Sequence, residues 1–178
     1  MKSFYYAIAA AATACLCVAC GREPLAPAVR ASLVSDQSSY IATSVGTGAS
    51  RSFAFSVIAQ YTNGSETAIY LQRCLASSLH PNVGVQTVSD SAEPPTFDPP
   101  GACTGTSALV VAPGEMRTDT IALAAPVTVD PSTGAYSGPS QVHVEFFYLA
   151  STCSSGWPNC PAPFEARTSN VVTVTIPQ

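Results

Sequence analysis

Short runs in which every second residue is apolar, each closed by glycine, proline or asparagine, recur from about residue 31 to the end of this chain. A strand with one buried face needs that period, because successive side chains point to opposite sides of the pleat. In SFAFSVIAQY, residues 52–61, the side chains of Phe53, Phe55, Val57, Ala59 and Tyr61 share one face. In QVHVEFFYLA, residues 141–150, Val142, Val144, Phe146 and Tyr148 do the same. NVGVQTV at 82–88 is a further strand, and SNVVTVTIP at 169–177 is a closing one, rich in the β-branched residues that suit a half-buried pleat. ASLVSD and SYIATSV supply the first strands, and SALVVAPGEMRTDTIAL reads as two strands around the turn APGE. Asn63-Gly64 is the strongest short hairpin signal in the chain, so TAIYLQRC, residues 67–74, is expected to run back against 52–61. The segment SDSAEPPTFDPPGACTG carries four prolines, which exclude a helix or a central strand there. No apolar stripe of period 3.6 occurs outside the first twenty residues, so the expected class is all-β.

Those first residues have a different character. Lys2 is the only charge before Arg22, and Ser3 to Ala19 is an uncharged stretch that leads into Cys20 through CLCVAC, residues 15–20. A positive start, an apolar run and small residues before a cut site are the parts of an export signal. A metal site would need a second ligand pair nearby, and the two histidines, His80 and His143, are far away in sequence.

Residues 17–20, CVAC, resemble the lipobox of bacterial lipoproteins, with Val18 and Ala19 before the cysteine; the position usually held by leucine is Cys17, and Leu16 stands one place further out. The resemblance implies cleavage of a signal peptide spanning 1–19 and acylation of Cys20, which would anchor the protein to a membrane through a tether of residues 20–30. Two or three acyl chains hold a protein stably where one does so only marginally. Gly21, in place of aspartate, implies sorting to the outer membrane or cell surface. Cleavage after ATA, residues 12–14, is the alternative and would release a freely secreted protein.

Residues 31–178 then form one domain, long enough to bury a core. Charged residues make up 10% of the chain, against roughly 25% in an average domain. After cleavage no lysine remains, and six arginines face eleven acidic residues, a net charge near −5. Nucleic acid is excluded as a partner, since it calls for clustered cations. Chemistry that needs a lysine is excluded as well. Cys74, Cys103, Cys153 and Cys160 remain beyond the anchor. An even count in an exported chain implies two disulfides, with three possible pairings. Cys74–Cys103 and Cys153–Cys160 are favoured because each pair brackets one loop-like stretch. Zinc would call for closer spacing such as C-x-x-C, and no metal or other cofactor is expected.

Few residues suggest chemistry. His143 and Glu145 share one strand face, opposite Val142 and Val144, and read as solvent-facing. His80 precedes Pro81 in a loop without an identifiable base or nucleophile. Asp90, Glu93 and Asp98 share a loop but match no spaced calcium-binding pattern. Asn63-Gly-Ser matches a glycosylation acceptor, which the turn already explains. No G-x-S-x-G or S-x-x-K occurs, so no catalytic residue is assigned. Trp157, the only tryptophan, lies between Cys153 and Cys160. It is either a binding residue offered to a protein or glycan, or a lid folded over the end of the domain.

The strand rhythm, the APGE turn and the final TSNVVTVTI resemble the immunoglobulin-like domains of bacterial surface lipoproteins, which implies a two-sheet antiparallel sandwich of seven to nine strands over roughly residues 30–178. Trp157 does not lie between the cysteines of facing strands as in antibody domains, and GAY at 134–136 lacks the cysteine that follows a tyrosine corner. The expected function is that of a non-catalytic envelope lipoprotein with a binding or structural domain. A secreted protease inhibitor or a small hydrolase on the same sandwich is the alternative.

Overall fold

The computed structural model describes residues 28–47, 51–88, 95–99, 103, 105, 107–127, 130, 132–133 and 135–178. The leader, Cys20 and the tether up to residue 27 lie outside them, as do Asp90 and Glu93. The described residues form strands and loops, and the only helical element is a single 3-10 turn at Phe164–Ala166. No helix among them is long and apolar enough to cross a membrane.

The strands are β1 (Ala31–Ser35), β2 (Ser39–Ile41), β3 (Thr43–Val45), β4 (Ser52–Asn63), β5 (Ile69–Arg73), β6 (Val83–Thr87), β7 (Ser107–Val111), β8 (Met116–Pro126), β9 (Gln141–Tyr148), β10 (Ala150–Ser151) and β11 (Val172–Thr175). One layer is built on β4, which pairs along its length with β8, from Ser52↔Pro126 to Thr62↔Met116. The other edge of β4 takes β1 at one end and β3 at the other. The facing layer has the order β2-β11-β9-β6, and β9 runs on past Leu149 into β10, which pairs with β5, itself paired with β7. Gln72 N–H donates to Leu149 C=O at 2.9 Å and carries the ladder across that junction.

The alternation read from the sequence sets which faces meet. Phe53, Val57, Ala59 and Tyr61 of β4 and Val142, Val144, Phe146 and Tyr148 of β9 are all 0% exposed. The layers touch through rings, with Tyr61 against Tyr148 at 5.7 Å between centroids and Tyr40 against Phe55 at 5.5 Å. Such face-to-face packing is a β-sandwich arrangement. Phe97, from the proline-rich segment, is also fully buried, edge-on to Phe55, and Asp98 exchanges two backbone hydrogen bonds with Ala124 of β8. The described part of this segment, residues 95–99, lies against β8 by a single bridge.

Two expectations need correction. The described residues hold eleven strands, more than the seven to nine expected, in three hydrogen-bonded sheets forming two layers, and they are not all antiparallel, because β2 runs parallel to β11. The cause is a crossing near Asp36. There the carboxylate accepts hydrogen bonds from Tyr40 Oη at 2.6 Å and Ile58 N at 3.0 Å, and the chain passes from the edge of β4 to the facing layer. The hairpin at Asn63-Gly64 does not form either: β5 pairs with β7 and β10, not with β4. A type I′ turn needs positive φ at both central residues, and neither Asn63 nor Gly64 has it. Instead the buried Asn63 side chain donates to Thr67 O and Val111 O, both at 2.9 Å, and ties the crossover to the start of the next turn. With that amide committed inside the fold, Asn63 is unsuited to carry a glycan.

Candidate functional site

Trp157 is half-buried, and the guanidinium carbon of Arg167 lies 4.9 Å from its ring centroid. The same guanidinium lies 5.4 Å from Phe164 and 5.6 Å from Phe147. Three rings thus gather around one cation, each contact worth roughly 0.5–1 kcal/mol where water has access.

Local sequence explains why they meet. Phe147 follows the inward Phe146, so it points to the outer face of β9, where its register partner on β6 is Gly84. A Cβ at Gly84 would fall 2.3 Å from the Phe147 ring, so only glycine lets the ring lie across β6. Arg167 follows the 3-10 turn, and its backbone carbonyl accepts from Tyr148 N–H at 3.0 Å, which sets it beside Phe147. Its Nε donates to Ala162 C=O at 3.2 Å. The Trp157 loop is closed by the Cys153–Cys160 disulfide, with Cα atoms 5.8 Å apart. It is held from below by Ser151, fully buried, whose hydroxyl donates to Asn159 C=O at 2.6 Å. Phe164 is 47% exposed at the rim. The result is an aromatic platform around one positive charge on the outer face of a sheet.

The second disulfide is Cys74–Cys103, with Cα atoms 5.6 Å apart, so the expected pairing holds for both bridges. His143 is exposed, with Nδ1 3.1 Å from Thr173 Oγ1, and Glu145 stands on the same outer face. Among the described residues no three His, Cys, Asp or Glu side chains gather around a point that could hold a metal ion. Asp98 is engaged with β8 through its backbone.

His80, in contrast to the sequence reading, has a partner. Its Nδ1 lies 3.0 Å from Oδ1 of Asp119, whose side chain is 2% exposed. Arg117 grips the same carboxylate with Nε to Oδ2 at 2.7 Å and Nη2 to Oδ1 at 2.6 Å, and Tyr148 Oη donates to Oδ2 at 3.0 Å. Sequence reasoning missed this cluster, though one signal was present. Asp119 and Arg117 sit in phase with Ile121 and Leu123, which point inward from β8. Burial alone would push the Asp119 carboxyl up, but the hydrogen bonds from Arg117 and His80 and the guanidinium charge more than offset this and hold it below the ordinary carboxylate range. Burial, together with the Asp119 charge, pushes the Tyr148 phenol up, so it stays a donor.

A carboxyl with a lower pKa folded than unfolded adds stability above its unfolded value, and that stability fades as pH falls through the folded one. Asp119 therefore makes the fold acid-sensitive below about pH 4. Urea midpoints measured from pH 7 to pH 2 should fall at the acid end, and less steeply in Asp119→Asn; parallel curves would remove Asp119 as the cause.

No model of a known protein family matches this sequence, and no curated protein is significantly similar to it.

Proposed function

We propose that this chain is a non-catalytic, lipid-anchored protein of a bacterial envelope, whose immunoglobulin-like sandwich binds a protein partner through the Trp157–Arg167 platform. The observation that carries the binding role is the joint packing of Trp157, Phe164 and Phe147 on Arg167 at the surface. Tryptophan and arginine are enriched among the residues that dominate protein interfaces. Here a disulfide and a buried serine order them before any partner arrives, which lowers the entropy cost of binding. The export half is supported by the leader and the CVAC stretch ending at Cys20. Two disulfides are also at home in an oxidising compartment. The immunoglobulin-like reading is supported by layers packed face to face and by a first segment that passes from one layer to the other between β1 and β2.

A photo-crosslinking residue placed at Phe164 in the native host tests the platform. The expected result is one discrete protein adduct that disappears when Trp157→Ala is added while the melting temperature stays within a few degrees. An adduct to glycan, an adduct that survives Trp157→Ala, or none at all would contradict the protein-partner reading.

A further inference from the structure

The buried Asp119 carboxylate of β8 also fixes the chemistry of a side chain at the surface. An ionised carboxylate can only accept hydrogen bonds, so the 3.0 Å contact with His80 requires the proton on Nδ1. In the neutral form of the ring the lone pair then lies on Nε2. Nε2 has no hydrogen-bond partner among the described residues, and the His80 side chain is 63% exposed.

Two clefts flank this ring, about 420 Å³ and 250 Å³ in volume, and they share His80, Pro81, Val83 and Pro99. Leu149 extends the apolar wall of the larger and Ile121 that of the smaller. The loop that carries His80 is pinned. Arg73 Nη1 donates to Ser78 C=O at 3.1 Å, Arg117 Nη2 to Leu79 C=O at 3.0 Å, and Asn82 Nδ2 to Cys103 C=O at 3.1 Å. Beside these apolar residues, Ser78 and Asn82 line the larger cleft and Asp119 and Thr120 the smaller; small-molecule sites combine apolar walls with a few placed polar groups in this way. A cavity of about 150 Å³ already admits benzene.

We propose that this double cleft binds a small aromatic alcohol, whose ring lies against Pro81, Val83 and Pro99 and whose hydroxyl donates to Nε2 of His80. Apolar walls select the ring, and the unpartnered Nε2 of His80 selects a donor, since the Asp119 oxygens beside it are already taken by Arg117, Tyr148 and His80 itself. A carboxylate or phosphate in the same place would face the lone pair and be rejected.

The test titrates the purified full chain with phenol and, separately, with toluene, which has the same outline but no donor, and follows the Val83 and Ile121 methyl resonances by NMR. Phenol should bind saturably and about tenfold more tightly than toluene, as one neutral hydrogen bond allows. In His80→Leu the two should bind equally, because the acceptor is gone while Arg117 and Tyr148 still hold Asp119. Equal affinities in the unaltered protein, phenol binding that survives His80→Leu, or no saturable shift with either compound would each overturn the proposal. The comparison of the two compounds in the unaltered protein stands even where the variant fails to fold.

Discussion

Arg117→Met lowers the folding stability of this protein by roughly 3–5 kcal/mol, the range found when one partner of a buried ion pair is removed. The substitution keeps most of the side-chain bulk but leaves the Asp119 carboxylate, 2% exposed, without the guanidinium that contacts both of its oxygens. His80 and Tyr148 still bond it, so the lower end of the range is expected. The loop carbonyl of Leu79 loses its donor in the same step. Urea unfolding at pH 7 measures the loss. Replacing both partners, as Arg117→Met with Asp119→Leu, should recover part of it, because no charge is then buried unpaired, while the Tyr148 hydroxyl loses its acceptor. If the single variant costs under about 1 kcal/mol, or the double variant is worse than the single, the pair is not the buried anchor described above.

Removing the Cys74–Cys103 bridge by paired serine substitution is the other large effect. The two cysteines are 29 positions apart, and chain entropy for a loop of that length gives about 3.6 kcal/mol, compared with about 2.5 for Cys153–Cys160, whose separation is 7. The longer bridge also joins the end of β5 to the segment that leads into β7, and both cysteines line the larger cleft at His80. Its loss should therefore lower the urea midpoint more than loss of the shorter bridge and blunt any binding beside His80. The shorter bridge should instead act on the Trp157 loop, with a smaller drop in stability and a weaker photo-adduct at Phe164. A reversed order of the two stability losses would mean that strain or unfolded-state structure outweighs loop entropy here.

Strands and core faces were legible because alternation is a local property. Val142 to Tyr148 read the same in sequence and in structure, and so did Phe53 to Tyr61. The Asn63-Gly64 signal failed because the Asn63 amide is taken by Thr67 nearby and by Val111 across the fold, which outweighed the local turn preference. The parallel pairing of β2 with β11 joins residues more than a hundred positions apart, which no local pattern records. Trp157 could be singled out from its loop alone. Its cation partner Arg167 and the underlying Phe147 could not, since three separate segments converge there. His80 and Asp119 are 39 residues apart, and the trace they left was a charge at an inward position of β8, in phase with Ile121 and Leu123.

The proposed compartment turns on one atom, the thiol of Cys20. Trypsin digestion of the native host's membrane fraction, followed by mass spectrometry of the N-terminal peptide, reads it directly, because cleavage after Arg22 leaves Cys20-Gly21-Arg22. A lipid-anchored envelope protein yields that peptide as a strongly hydrophobic species carrying acyl chains on Cys20. An unmodified N-terminus following Ala14 or Ala19, recovered in the soluble fraction, would contradict the anchor and make this a secreted protein.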